Sequence, residues 1–201
     1  MTAIDFYFDP VCPFAWAASR WLLEQADHRD LDITWHLMSL AVLNEGQEPD
    51  SEKEREHLAL SRQLGRVVLA AVEVSGPKLT EPLYTALGRH LHDAGEDMTP
   101  ELVGEILSEC GVDSSLAEAM FDDERDDVLS LAHQESQDAL GETGGCPILC
   151  IDDNCFFGPV LCGIPTGDEA DDLFEALVTL AHSPKFAQLK RPHRKPPTAS
   201  S

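Results

Sequence analysis

The chain has 201 residues, 37 acidic against 14 basic, and a formal charge of −23. That length supports one or two domains with a buried core, and 43% hydrophobic with 25% charged content excludes a disordered, collagen-like or disulfide-packed miniature chain. No stretch approaches the roughly 18 consecutive apolar residues of a membrane span, and the start MTAIDFYFDP has no basic n-region, so the cytoplasm is the expected compartment.

At residues 3–8, AIDFYF alternates Ile4, Phe6 and Phe8 on one side and predicts a strand, which Asp9-Pro10 ends. From Pro13, PFAWAASRWLLEQA predicts a helix with Pro13 in its first turn and Cys12 at its N-cap. LDITWHLM at 31–38 alternates again and predicts a second strand. The opening therefore reads as a βαβ unit, with parallel strands and a right-handed crossover.

Residues 51–140 read as helices only. Ser51 and Glu54 form a capping box, followed by Leu64, Val67, Val68, Ala71 and Val72 at helical spacing. Thr80 with Pro82, and Thr99 with Pro100, open two more helices that close near Gly95 and Gly111. Leu116, Met120 and Phe121 mark a short one, and a last helix through Val128, Leu129, Ala132 and Leu140 stops at Gly141. PILCI, an Asp152-Asp153-Asn154 turn and CFFGPVL then read as a hairpin, and 168–182 as an acidic-capped closing helix. This order predicts an α/β sheet domain, residues 1–50 and 141–184, interrupted by a helical insertion at 51–140. The tail 185–201 carries five Lys/Arg, three prolines and no acid, and reads as a surface-lying end. The strongly acidic remainder repels phosphate backbones and argues against a nucleic-acid partner.

Cys12 lies between a strand end and a helix start, where backbone N–H groups and the helix dipole favour the thiolate. Cysteines so placed fall to about 3.5–7.5, from a free value of about 8.5, which makes Cys12 the candidate nucleophile; the plainer alternative is a cap that only packs. Gly144-Gly145-Cys146-Pro147 leads into a strand, and its X-Pro bond suits a cis turn pressed against another loop.

With these motifs in that order, the sequence resembles the DsbA-like branch of the thioredoxin superfamily, in which a helical domain is inserted into a thioredoxin fold. Within it, FDPVCPFAWAASRWL, HLMSLAVLNE, EPLYTALGRHLHDAG, FFGPVL and the tail LKR resemble the actinobacterial mycothiol-dependent reductases. The resemblance implies that Cys12 attacks disulfides, that Pro147 is the cis-proline beside it, and that a low-molecular-weight thiol such as mycothiol reduces the product. It also implies that Asn44, Tyr84 and His92 lie near the active-site cleft, His92 as a proton donor, although a surface histidine on a helix is the commoner case. Pro13 belongs to the same motif. Phe14 and Trp16 either pack against a flat substrate or seal the helix onto the sheet.

Two departures from the family stand out. Its usual Cys-Pro-Trp-Cys is Cys12-Pro13-Phe14-Ala15 here, so no dithiol cycle closes within the motif and release of a mixed disulfide needs another thiol. The residue before the cis-proline, commonly Thr or Val, is Cys146. It is either a relocated resolving thiol for Cys12 or a small tolerated substitute. In a cytoplasmic chain the six cysteines read as thiols, catalytic groups or ligands rather than structural disulfides. Cys146, Cys150, Cys155 and Cys162 lack the paired C-x2-C knuckles of zinc sites. Cys150 is expected to pack beside Ile148, Cys155 and Cys162 to flank the following strand, and Cys110 to be core; no metal and no tightly bound cofactor is expected.

The leading expectation is a cytoplasmic thiol-dependent oxidoreductase of small-molecule substrates, with a homodimer allowed. A second is an E/Z isomerase of a conjugated alkene, because addition and elimination need a single nucleophile; kappa-class transferases and chromene-carboxylate isomerases resemble this use, usually with Ser at the Cys12 position. A third is a binding or chaperone module without turnover.

Overall fold

In the computed structural model, which describes residues 1–192, the first strand forms as β1 (Thr2–Phe8). Ile4, Phe6 and Phe8 are wholly buried, and Tyr7, on the other face, is buried as well, stacked on His36 of the neighbouring strand. It pairs in parallel with β2 (Leu31–Leu37) from Thr2↔Leu31 to Phe8↔Leu37, and antiparallel with β3 (Ile148–Ile151), which pairs in turn with β4 (Asn154–Phe157). The sheet order is β2-β1-β3-β4. β2 is an edge strand, so its alternating residues are only half-buried up to the buried Leu37.

Helix α1 (Pro13–Ala26) crosses from β1 to β2 and packs on the closing helix α7 (Gly167–Ala181), where Trp21 Nε1 donates to the Ala170 carbonyl at 3.1 Å. Between β2 and β3 the described chain is helical. It comprises α2 (Leu40–Leu43), α3 (Glu52–Ser75), α4 (Thr80–Gly88) with a π-helical turn (Arg89–Ala94), α5 (Pro100–Glu109), a 3₁₀ stretch (Ser114–Phe121) and α6 (Asp126–Leu140). Ser51 caps α3 by accepting Glu54 N–H at 3.1 Å, while Glu54 Oε2 reaches Asp50 N–H rather than the cap's own. Leu64, Val67, Val68 and Ala71 form the buried face of α3. Arg66 ties it to α6 by a fork on Asp126 (Nε to Oδ1 2.7 Å, Nη2 to Oδ2 2.9 Å) and by Nη1 to the Met120 carbonyl.

Helix α4 opens at Thr80 as expected, with the Thr80 hydroxyl donating back to the Pro77 carbonyl. Helix α4 then runs on into the π turn before Gly95, at φ 68°, closes it. Several sequence expectations are corrected. Phe121 is 63% exposed at the end of a 3₁₀ stretch, and Val128 also faces outward. The CFFGPVL strand stops at Phe157, because Gly158 adopts φ 115° and Pro159 has no N–H for a ladder. Cys110 is half-buried rather than core.

The cysteine reading changes most. The hairpin turn puts Asp152 and Asp153 at positive φ, the conformation of a two-residue turn, so Cys150 and Cys155 stand directly opposite one another and form a disulfide. Periodicity places residues on faces, but only the turn register makes this pair a cross-strand couple. Cys12, Cys110, Cys146 and Cys162 are free. Of the basic tail, 185–192 forms no helix or strand, and 193–201 lies outside the described residues.

Candidate functional site

The turn after β1 builds the site. Asp9 accepts Cys12 N–H on its backbone carbonyl at 3.0 Å, which delivers Cys12 in extended conformation (φ −78°, ψ 111°) to the N-cap of α1 with Pro13 at the first helical position. Cys12 Sγ accepts Ala15 N–H at 3.4 Å, so the sulfur takes up one of the helix's otherwise orphaned donors. Cys12 is 3% exposed, and Ala15 beneath it is fully buried.

A second loop closes over this cap. The Cys146–Pro147 peptide bond is cis, and Cys12 Sγ donates to the Cys146 carbonyl at 3.4 Å. The Cys146 thiol is turned to Asp9, accepting its backbone N–H at 3.2 Å. Burial pushes the Cys146 thiol well above the usual cysteine range, and the adjacent Cys12 and Asp9 push the same way.

Asp9 is wholly buried. Its carboxylate accepts Val11 N–H at 2.9 Å, Leu40 N–H at 2.6 Å and the Ser61 hydroxyl at 2.5 Å. Burial nonetheless raises its pKa, outweighing these bonds and the nearby His57. One acid thus joins the Cys12 turn, the Cys146 thiol, α2 and α3. In the sequence this junction shows only as a strand-ending Asp-Pro.

The far wall comes from α4 and its π turn. Trp16 stacks on His92 (centroids 5.6 Å), meets Tyr84 edge-on at 5.7 Å, carries the Arg20 guanidinium 4.0 Å over its ring, and donates Nε1–H to Asp93 Oδ1 at 2.8 Å. Gly88 allows this approach, since a Cβ there would lie 2.1 Å from Trp16 Cζ3. Trp16 is 4% exposed, so it seals α1 to α4. Tyr84 stacks on Phe8 at 3.9 Å, and burial drives its phenol well above 10. Ser19 Oγ donates to the Trp16 carbonyl and receives Arg20 Nε–H, while the Tyr84 hydroxyl and Arg20 Nη2 are buried with no hydrogen-bond partner among the described residues.

His92 Nε2 lies 2.9 Å from the Pro10 carbonyl, which fixes the Nε2–H tautomer, and burial lowers the ring's pKa. It braces the Cys12 turn in neutral form. A π turn is a frequent device at functional sites because its extra residue re-aims side chains.

The remaining predicted residues sit further out. Phe14 is partly buried against the core. Asn44 ends α2 with Nδ2 on the Leu40 carbonyl at 2.8 Å, and reaches the site only through Leu40, whose N–H bonds Asp9. A groove lined by Pro100, Glu101, Gly104 and Ser114 belongs to α5 and the 3₁₀ stretch, not to the Cys12 turn. Among the described residues no group of three or more His, Cys, Asp or Glu is placed to hold a metal, and no helix is long and apolar enough to cross a membrane.

Comparison with known proteins bears on this geometry. The model of the Rv2466c-like family, described as mycothiol-dependent nitroreductase Rv2466c, matches residues 11–191. A Mycobacterium tuberculosis protein, Rv2286c, described as uncharacterized, is 32% identical over 197 residues, covering 96% of this chain and 83% of its own. A probable DsbA oxidoreductase from Streptomyces coelicolor, SCO1869, superposes with a TM-score of 0.61 at 18% identity, covering 95% of this chain and 94% of that one. The cytosolic disulfide reductase DsbM from Pseudomonas aeruginosa, solved with GSH, gives 0.57 at 16% identity, covering 89% and 100%. At these identities the two structures speak to fold alone, a DsbA-like thioredoxin fold. The family match spans nearly the whole chain, so the protein belongs to the Rv2466c-like family of mycothiol-dependent reductases and is an oxidoreductase.

Proposed function

We propose that the protein is a thiol-dependent oxidoreductase with Cys12 as its only attacking thiol and an external monothiol of the mycothiol class as co-reductant. The observation that carries this is the pairing of Cys12, at the N-cap of α1, with a Cys146 whose own thiol is held by Asp9. Cys12 thiolate attacks a substrate disulfide, forming a Cys12 mixed disulfide and releasing the other half as thiolate. The monothiol then attacks that mixed disulfide, freeing Cys12 and leaving with the substrate sulfur. The thiolate is the attacking species; burial raises the Cys146 thiol and so disfavours its thiolate, which supports release by the external thiol.

Pro13, Phe14 and Pro147 frame the sulfur in this reading. Trp16, Tyr84, Asn44 and the neutral His92 are positioning residues, and residues 51–140 are a helical insertion that forms the wall of the site. The fold and family also support a cytoplasmic location and small-molecule substrates. The family's name puts nitroaromatic compounds among those to assay beside mixed disulfides.

The test is turnover of a mycothiol mixed disulfide by the intact chain and by Cys12→Ser, with intact-mass analysis of stalled reactions. A one-thiol adduct on Cys12 and loss of turnover in the variant support the reading. Full activity of Cys12→Ser defeats it, and alkene isomerisation without any adduct would return the isomerase alternative.

A further inference from the structure

The Cys150–Cys155 disulfide lies outside the chemistry just described. It joins residues that already face each other in the β3–β4 register and encloses a segment that the two-residue Asp152–Asp153 turn has already closed. A link across so short a loop removes little chain entropy from the unfolded state, so a structural staple gains least here. In the thiol-rich surroundings that a mycothiol-dependent family implies, disulfides that persist are usually catalytic or redox-sensing. Cys155 is the half-buried partner on edge strand β4, whereas Cys150 is 3% exposed on the inner strand.

The hairpin it clamps is continuous with the active-site loop. β3 begins at Ile148, next to Pro147. Gly158, just past β4, donates its N–H to the Pro147 carbonyl at 2.8 Å. The Phe157 ring covers Gly145, where a Cβ would lie 3.1 Å from its Cε2. β4 pairs with β3 alone, and beyond the ladder and the Asp152–Asp153 turn the disulfide is its added covalent tie to the sheet.

We propose that Cys150–Cys155 is a second redox site, a disulfide that exchanges with low-molecular-weight thiols and holds β4 over the Gly144–Pro147 loop only while oxidised. A monothiolate attacks Cys155 Sγ, the S–S bond breaks, and Cys150 leaves as a thiolate that takes up a proton. A second monothiol attacks the small-molecule sulfur of the Cys155 mixed disulfide and releases Cys155 as a thiol. In total, two monothiols become one symmetrical disulfide and the protein gains two thiols. With the clamp open, the Phe157 contact and the Gly158 bond to Pro147 loosen, and the cover over Cys12 loosens with them.

The experiment equilibrates the full wild-type chain and Cys12→Ser in glutathione mixtures of increasing reduced-to-oxidised ratio, followed by acid quench, mass-tag alkylation and peptide mapping. Tagging of Cys150 and Cys155 should rise together, from absent to near complete, in both proteins; since Cys12→Ser lacks the proposed nucleophile, this outcome is independent of the function above. In wild type the reduced form should alkylate at Cys12 about threefold faster or more, with faster amide exchange at Gly158. A double Cys150→Val, Cys155→Val variant should match the reduced protein's Cys12 rate. A pair that is untagged until denaturant is added, or that stays as thiols in the fully oxidised mixture, overturns the redox site. Unchanged Cys12 alkylation in both the reduced protein and the double variant overturns the clamp.

Discussion

The Cys12 thiol donates to the backbone carbonyl of Cys146, while the Cys146 thiol beside it accepts the N–H of Asp9. The two sulfurs are neighbours, both buried, with different partners: one accepts a helix N-terminal amide, the other the backbone N–H of an acid. Cys12→Ser should therefore lose turnover while keeping its circular dichroism. Cys146→Val should retain turnover within a few-fold and still give a Cys12 adduct by intact mass. A Cys146 variant that traps the adduct and stops would make Cys146 the resolving thiol.

Asp9 should leave its mark on stability against pH. Its folded pKa is raised by burial, so its contribution is complete below the unfolded value of about 3.9 and is lost as pH rises through the folded pKa. Asp9→Asn removes that slope but sets a donor against Leu40 N–H or Val11 N–H, at a cost of about 1–3 kcal/mol. Urea unfolding across acid to neutral pH should show wild type exceeding the variant most at low pH, with the gap narrowing upward. A gap that widens with pH would mean that Asp9 is stabilised as the carboxylate.

Gly88→Ala tests the seal between α1 and α4. The added Cβ would overlap the Trp16 ring, which must shift and disturb its hydrogen bond to Asp93 and its stack on His92. Overpacking of this kind costs about 1–3 kcal/mol, and at about 2–4 °C per kcal/mol for a chain this size the Tm should fall by several degrees. Tryptophan emission should shift to the red. An unmoved Tm and spectrum would show that α4 can back away freely.

The Arg66 fork gives an acid-sensitive link of opposite sign. Its side-chain hydrogen bonds hold Asp126 below the usual carboxylate range, so this stability is present above about pH 3.9 and is lost as pH falls through the folded pKa. Asp126→Asn should cost about 2–3 kcal/mol near neutrality and converge with wild type in acid. A constant difference at every pH would assign the loss to packing.

Much of this protein is set by local sequence physics. Period-two apolar runs specify β1 and β2, Cys12-Pro13 specifies the start of α1, Thr99-Pro100 that of α5, and Gly141 the end of α6, because caps and turns depend on a few adjacent residues. The sequence alone also carried the motifs that mark the family. Other features required the tertiary structure, because they join residues distant in the chain. Asp9 meets Leu40, Ser61 and Cys146 only when the sheet and helices assemble; Gly88 matters only because Trp16 lies on it; and Cys150 finds Cys155 only in one hairpin register. Burial, which shifts the Asp9, Cys146 and His92 pKa values, belongs to the assembled core and leaves no periodic trace in the sequence.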